Sequence, residues 1–211
     1  MQLKSKEFRI EVTSKCNAHC SICPREKMTR PLVTMDTAHF KYVVSQAHAL
    51  DVQTVSLFGH GEPLLDPGLV DKLRYCSEAQ FDTFITTNAS MLSPDMSYEL
   101  LNAGLSHIRF SAHGFGENYN KVHKGLEWAR FAENVGQFIR IRHDLNSRCV
   151  VSVSVIPMND ERISNIRRFW EPNCDFLEVW RPHNWTDGRS YRGIKICERK
   201  KTCGRPNSGP V

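Results

Sequence analysis

The sequence predicts an α/β fold, a partial (β/α)6 barrel followed by an irregular cysteine-containing C-terminal tail. Three observations carry that expectation. Apolar, β-branched runs alternate with segments of helical period, no glycine-rich dinucleotide fingerprint opens the first unit, and the periodic pattern stops after Trp180. Strict alternation implies parallel strands joined by right-handed crossovers. Six such units without the fingerprint suit an open or partial barrel better than a doubly wound sheet.

The strand runs are residues 8–12, 54–58, 81–86, 107–110, 150–156 and 176–180. Helical periodicity fills 36–50, 68–79, 94–103, 126–143 and 161–170. Ser93 before Pro94 reads as an N-cap followed by proline at the first helical position. Residues 1–182 are expected to form the barrel domain. Residues 183–211, rich in Gly, Pro, Arg and Cys, read as a separate tail or the start of another module.

Composition bounds the function. The 211 residues are 40% hydrophobic, enough for a buried core. The net charge of +5 comes from scattered basic residues apart from the run around Arg199, Lys200 and Lys201. Scattered charge fits a solvated surface, and a nucleic-acid partner is not expected. The N-terminus is polar and no apolar run is long enough to span a bilayer, so a membrane is not expected and a cytoplasmic location is. Eight cysteines in a reducing compartment argue for metal or redox chemistry rather than disulfides.

Their spacing decides which. Cys16, Cys20 and Cys23 form a C-x3-C-x2-C cluster just past the first strand. Three thiolates can hold one face of an iron-sulfur cube and leave one iron coordinatively open, whereas electron-transfer clusters and structural zinc want four ligands. His19 is a weak fourth zinc ligand because it directly adjoins Cys20. A closed cluster or zinc site completed by a distant cysteine is the competing class.

The loop resembles the signature of the radical S-adenosylmethionine (SAM) superfamily, and the resemblance spans about residues 7–182. The family usually has an aromatic residue before the third cysteine; here Ile22 stands there, as an apolar neighbour for adenine. Phe58-Gly59-His60-Gly61-Glu62-Pro63, after the second strand, resembles the family's GGEP motif. The resemblance makes Gly59 and Gly61 close-approach positions and Glu62 the acceptor for the SAM ammonium. Thr86-Thr87-Asn88 resembles the T-N-G segment, with Ala89 replacing the glycine. Ser111 at the fourth strand end implies contact with the SAM carboxylate or ribose, Ser154 in the fifth strand a similar role, and the backbone near Val179 and Trp180 a contact with adenine. His113, His123 and His183 receive no role, and Cys76, Cys149 and Cys174 read as inert structural thiols.

The implied cofactors are a [4Fe-4S] cluster on Cys16, Cys20 and Cys23, and SAM. The implied reaction is reductive cleavage of SAM to a 5'-deoxyadenosyl radical, fed by an external electron donor such as a flavodoxin or ferredoxin. Cys197 and Cys203-Gly204-Arg205-Pro206 resemble the opening of a SPASM-type module, which implies an auxiliary iron-sulfur cluster in a longer form. That likeness tilts the substrate toward a peptide or protein, with small molecules, sugars and nucleic acid as alternatives.

Overall fold

A computed structural model describes residues 6–157 and 161–180. The expected tail of residues 183–211, with Cys197, Cys203 and His183, lies outside the described residues. All six expected strands are present. They are β1 (Glu7–Arg9), β3 (Thr54–Ser56), β4 (Asp82–Thr87), β5 (His107–Ser111), β7 (Val150–Val155) and β8 (Phe176–Val179). They form one sheet in the order β1-β3-β4-β5-β7-β8, with every neighbouring pair parallel. The terminal strands β1 and β8 do not pair with each other, so the sheet is open, as the partial barrel requires.

The helices follow from local chemistry. In α1 (Thr37–Ser45) the Asp36 carboxylate accepts the His39 N–H at 2.8 Å, and in α3 (Pro94–Asn102) the Ser93 hydroxyl accepts the Met96 N–H at 3.1 Å. The Ser93 and Pro94 expectation therefore holds, with one orphan donor satisfied by the cap. α2 (Leu69–Glu78), α5 (Trp128–Asp144) and α6 (Ile163–Trp170) fall within a few residues of their expected bounds. The chain segment expected as one helix over 36–50 instead breaks at Gln46 into a 3-10 turn ending at the left-handed Asp51.

Alternation along the strands divides the sheet into two faces. Val55, Ile85, Ile108, Phe110, Val151 and Val153 are fully buried in one core cluster with Phe40 and Val44 of α1, Leu73 of α2, Leu100 of α3 and Val135 and Phe138 of α5. The intervening residues Phe84, Arg109 and Ser152 belong to the opposite, inner face. Beyond β1, residues 12–14 pair with residues 33–35: Ser14 N–H donates to the Val33 carbonyl and Met35 N–H to the Val12 carbonyl.

Two features had no periodic signal. α4 (Glu117–Val122) and a two-stranded antiparallel ribbon, β2 (His19–Cys20) with β6 (His123–Lys124), link the cysteine loop to the segment after β5. Elements of two to six residues carry too few turns or alternations to register in a sequence window.

One buried ion pair braces the helices. Lys72 of α2 donates to Asp66 at 2.6 Å, and both side chains are 1% exposed. Lys72 also donates to the Met35 carbonyl, which ties α2 to the start of α1. Removing one partner strands a buried charge. Asp66→Ala and Lys72→Met are each expected to destabilise the fold by about 3–5 kcal/mol, because each leaves the other charge buried and unpaired, whereas the double variant Asp66→Asn/Lys72→Met should cost less than the sum of the two. Denaturant titrations of the three variants beside the parent check this, and fully additive losses would show that charge burial is not the cause.

Candidate functional site

Three loops meet at the carboxyl ends of β1, β3 and β4. The first carries Cys16, Cys20 and Cys23, all free thiols and all half-buried. Cys23 N–H donates to the Cys20 carbonyl, and the Arg25 guanidinium donates to the Ala18 carbonyl at 3.0 Å, so the loop closes on itself. His19 Nδ1 pairs with Glu26 at 2.8 Å on the surface.

The second loop meets the first through backbone at Gly61 and Glu62. A Cβ on Gly61 would lie 2.0 Å from the Thr13 carbonyl oxygen and 2.8 Å from that of Lys15. Glycine is required there for space, because the obstruction is backbone that cannot swing away. The next residue completes the seam, with Glu62 N–H donating to the Lys15 carbonyl at 2.8 Å. Gly59 approaches a side chain instead: its Cβ would meet Glu11, which accepts the His60 N–H at 2.6 Å and pairs with Arg30.

Glu62 is only 2% exposed. Its Oε1 accepts the Leu64 N–H at 3.1 Å and the Thr87 hydroxyl at 2.6 Å, and its Oε2 accepts the Asn88 N–H at 2.7 Å. Burial pushes the Glu62 carboxyl up to about 7, and the three donors work against that rise. A carboxylate offers about four acceptor positions. With three occupied, Oε2 retains room for one further donor, so Glu62 is first a clasp between loops and only then a ligand acceptor.

The third loop contains Asn88, whose side chain donates to Asn17 Oδ1 at 3.1 Å and accepts the Ser90 N–H at 2.9 Å. Asn17 in turn donates to Ser90 Oγ at 2.8 Å. Asn88 therefore holds the cysteine loop to β4. Ala89, where the resemblance led one to expect glycine, adopts φ 56°. That left-handed conformation costs an alanine about 1 kcal/mol. Asn134 of α5 fixes the turn by donating to the Ala89 carbonyl.

The remaining expected residues are distributed around this edge. Ile22 is buried against Val122 and Ile156 in a small satellite cluster, with Cys20 packed beside it. Ser111 and Ser154 are register partners at the ends of β5 and β7, the former half-buried and the latter 1% exposed. At Trp180 the backbone N–H donates to the Val155 carbonyl at 2.8 Å. Its ring lies 4.8 Å from the Arg109 guanidinium.

Arg109 organises the inner face. Its guanidinium lies 4.9 Å from the Phe84 ring and 5.3 Å from the Phe58 ring, and it pairs with Glu178 at 3.4 Å. Arg9 covers Phe58 at 4.4 Å. Such cation–π contacts let aromatic surface carry a guanidinium where water is scarce. Burial, with Arg109 nearby, holds His107 and His113 at about 4, so both are neutral at physiological pH.

The sequence missed His123. The ribbon sets it opposite Cys20, with His123 Nδ1 3.3 Å from Cys20 Sγ. Its ring is 2% exposed and lies in a column between Tyr119, at 4.3 Å, and His113, at 5.4 Å. Burial holds His123 well below the ordinary imidazole range, with neighbouring His113 adding to the effect.

The donor set fits an iron-sulfur cluster. Burial raises Cys16, and burial together with negative charge at Cys16 and Cys23 pushes Cys20 up to about 12, so each thiolate is costly until a cation offsets it. Among the described residues, no three His, Cys, Asp or Glu side chains stand in a finished metal-ligating arrangement. The thiols at Cys76, Cys149 and Cys174 are held up by burial at about 12, 12 and 11, as inert thiols should be.

Residues 10–169 match the radical SAM superfamily. The chain belongs to that superfamily. Members of that superfamily work with a [4Fe-4S] cluster and SAM. It is 28% identical over 176 residues to the "Probable GTP 3',8-cyclase" of Saccharolobus islandicus, covering 82% of this chain and 52% of that protein. It is 28% identical over 135 residues to the "PqqA peptide cyclase" of Bradyrhizobium diazoefficiens, covering 60% of this chain and 35% of the relative. The chain thus spans about half the length, or less, of these curated relatives. In fold it is similar to Streptococcus suis SuiB bound to S-adenosylmethionine, at a TM-score of 0.71 and 22% identity over 90% of this chain and 43% of that one. No helix among the described residues is long and apolar enough to cross a membrane.

Two predictions test the loop junction. Gly61→Ala should destabilise the protein by about 3 kcal/mol through overpacking against backbone, read as a fall in denaturation midpoint. Full retention of stability would mean that the seam yields. The raised Glu62 carboxyl binds its proton in the folded state, so its contribution is fully present below pH ~4.5 and is lost as pH rises through about 7. In cluster-free protein, the stability advantage of the parent over Glu62→Gln should therefore shrink across that window. An advantage that grows with pH would show that the donors outweigh burial.

Proposed function

We propose that this radical SAM enzyme holds its cluster on Cys16, Cys20 and Cys23 and that its substrate is a peptide or protein. The observation that carries the first part is the seam between two distant loops, in which Gly61 and Glu62 lie directly on the backbone of Thr13 and Lys15 next to Cys16. A closed zinc or electron-transfer site has no use for that junction. When bound, the cluster and SAM supply reductive cleavage to a 5'-deoxyadenosyl radical.

The chain's own residues bind, orient and exclude water. Glu62 Oε2 accepts the SAM ammonium in its remaining acceptor position. Ser111 and Ser154 offer hydroxyls to the carboxylate or ribose, and Ile22 offers an apolar wall to adenine. Asn88 acts at one remove by holding the cysteine loop against β4. The inner face, with Arg109, Phe58, Phe84 and Trp180, receives the substrate, and its aromatic and guanidinium surface suits a peptide side chain. Likeness to the PqqA peptide cyclase supports the peptide reading, and likeness to the GTP 3',8-cyclase relative supports a nucleotide as the alternative. A flavodoxin- or ferredoxin-like donor supplies the electron, and the free thiols fit a cytoplasmic location.

Anaerobically reconstituted protein should contain about four irons per chain, as one cube requires. With SAM and dithionite it should release 5'-deoxyadenosine, and Cys16→Ala, Cys20→Ala and Cys23→Ala should each abolish release. Glu62→Gln should weaken SAM binding about ten- to a hundredfold at unchanged iron content. A cluster indifferent to SAM would sink the enzyme reading. Acceleration of 5'-deoxyadenosine release by GTP would overturn the peptide reading alone.

A further inference from the structure

Cys20 and His123 are opposite residues of the two-stranded ribbon, and Ser21 N–H donates to the Val122 carbonyl at 2.9 Å to fix the register. His123 Nδ1 lies 3.3 Å from Cys20 Sγ, and His123 Nε2 lies 3.2 Å from the backbone nitrogen of His113. A backbone N–H can only donate. Nε2 is therefore the bare nitrogen, and Nδ1 carries the proton. The reverse arrangement, in which a Cys20 thiol donates to Nδ1, would need a proton on Nε2 facing another N–H.

The ring cannot turn away from this geometry. It is 2% exposed and stacks on Tyr119 with an interplanar angle of 22° and on His113 with one of 12°. Both of its nitrogens are thus engaged, one to the chain that follows β5 and one to the cysteine loop.

We propose that His123 donates an N–H···S hydrogen bond to the Cys20 thiolate in the cluster-loaded enzyme and raises the cluster's reduction potential. The inference rests on the reading that Cys20 is a cluster ligand. The reduced cluster carries one more negative charge than the oxidised one, so a donor to its sulfur stabilises the reduced form more. The hydrogen bond also orients the ligand, as donors behind metal ligands do. His123 is a positioning residue and touches neither SAM nor substrate in this scheme.

The test uses the full reconstituted chain. His123→Phe keeps an aromatic ring in the column and removes the N–H; His123→Asn places an amide N–H near the Nδ1 position. In redox titrations followed by electron paramagnetic resonance, the phenylalanine variant should make one-electron reduction about tenfold less favourable. That corresponds to a potential lower by about 59 mV. The asparagine variant should recover most of the shift, and iron content should match the parent in both. A fully loaded His123→Phe protein with the parent's potential overturns the proposal.

Should the phenylalanine variant fail to load, wild-type protein labelled with 15N-histidine decides the matter. Pulsed resonance of the reduced cluster should show a nitrogen coupling that survives in His19→Gln, and its absence overturns the proposal. The two readings fail separately. A Cys20→Ala protein that keeps a SAM-responsive cluster refutes the ligand assignment, whereas an unchanged potential in loaded His123→Phe refutes only the histidine's role.

Discussion

The Glu62 carboxylate has almost no access to water, and the donors it accepts come from its own turn and from the end of the neighbouring strand. Leu64, Thr87 and Asn88 converge on it because β3 and β4 run parallel and in register, which delivers both strand ends to one level. An unsatisfied carboxylate at this depth would be costly. The cost is offset only while both loops hold their positions, so Glu62 enforces the shape of the junction. Gly61 permits this arrangement by letting the turn lie on the Thr13 and Lys15 carbonyls.

The cysteine loop inherits its position from that junction and from two further ties. Asn17 reaches Asn88 and Ser90 just past β4, while Cys20 and Ser21 are stitched to the end of α4 and to β6. Each tie joins residues far apart in the chain. A flexible loop with three thiols would lose entropy on closing around a metal; one anchored on both flanks has already lost most of it in folding. Burial and the negative charge of neighbouring thiolates raise Cys16 and Cys20, so each favours its protonated form until a bound cation offsets the cost.

The inner face follows a different logic from the helix-covered one. Outward residues such as Ile108 and Phe110 fill a dry core, whereas Arg109 between them lies among Phe58, Phe84 and Trp180 and pairs with Glu178. A single strand thus supplies both core and site because successive side chains alternate. The charged and aromatic lining gives the inner face of the sheet a polar, shaped surface without breaking the packing behind it.

The sequence by itself determined the six parallel strands, the capped start of α3, the three-cysteine loop and the paired-glycine turn. These are local: alternation, helical period, caps and ligand spacing act over a few residues and leave a direct trace in composition. The family was legible for the same reason, because three thiols in one loop and a carboxylate one unit later are short-range patterns. The tertiary structure alone decided that Glu62 is a buried clasp, that the Trp180 N–H is committed to β7, and that His123 stands behind Cys20. Those facts depend on strand register and on a two-residue ribbon joining segments about a hundred positions apart. No periodicity encodes such a meeting, because it is fixed by where the packed sheet places its strand ends and not by what any one segment prefers.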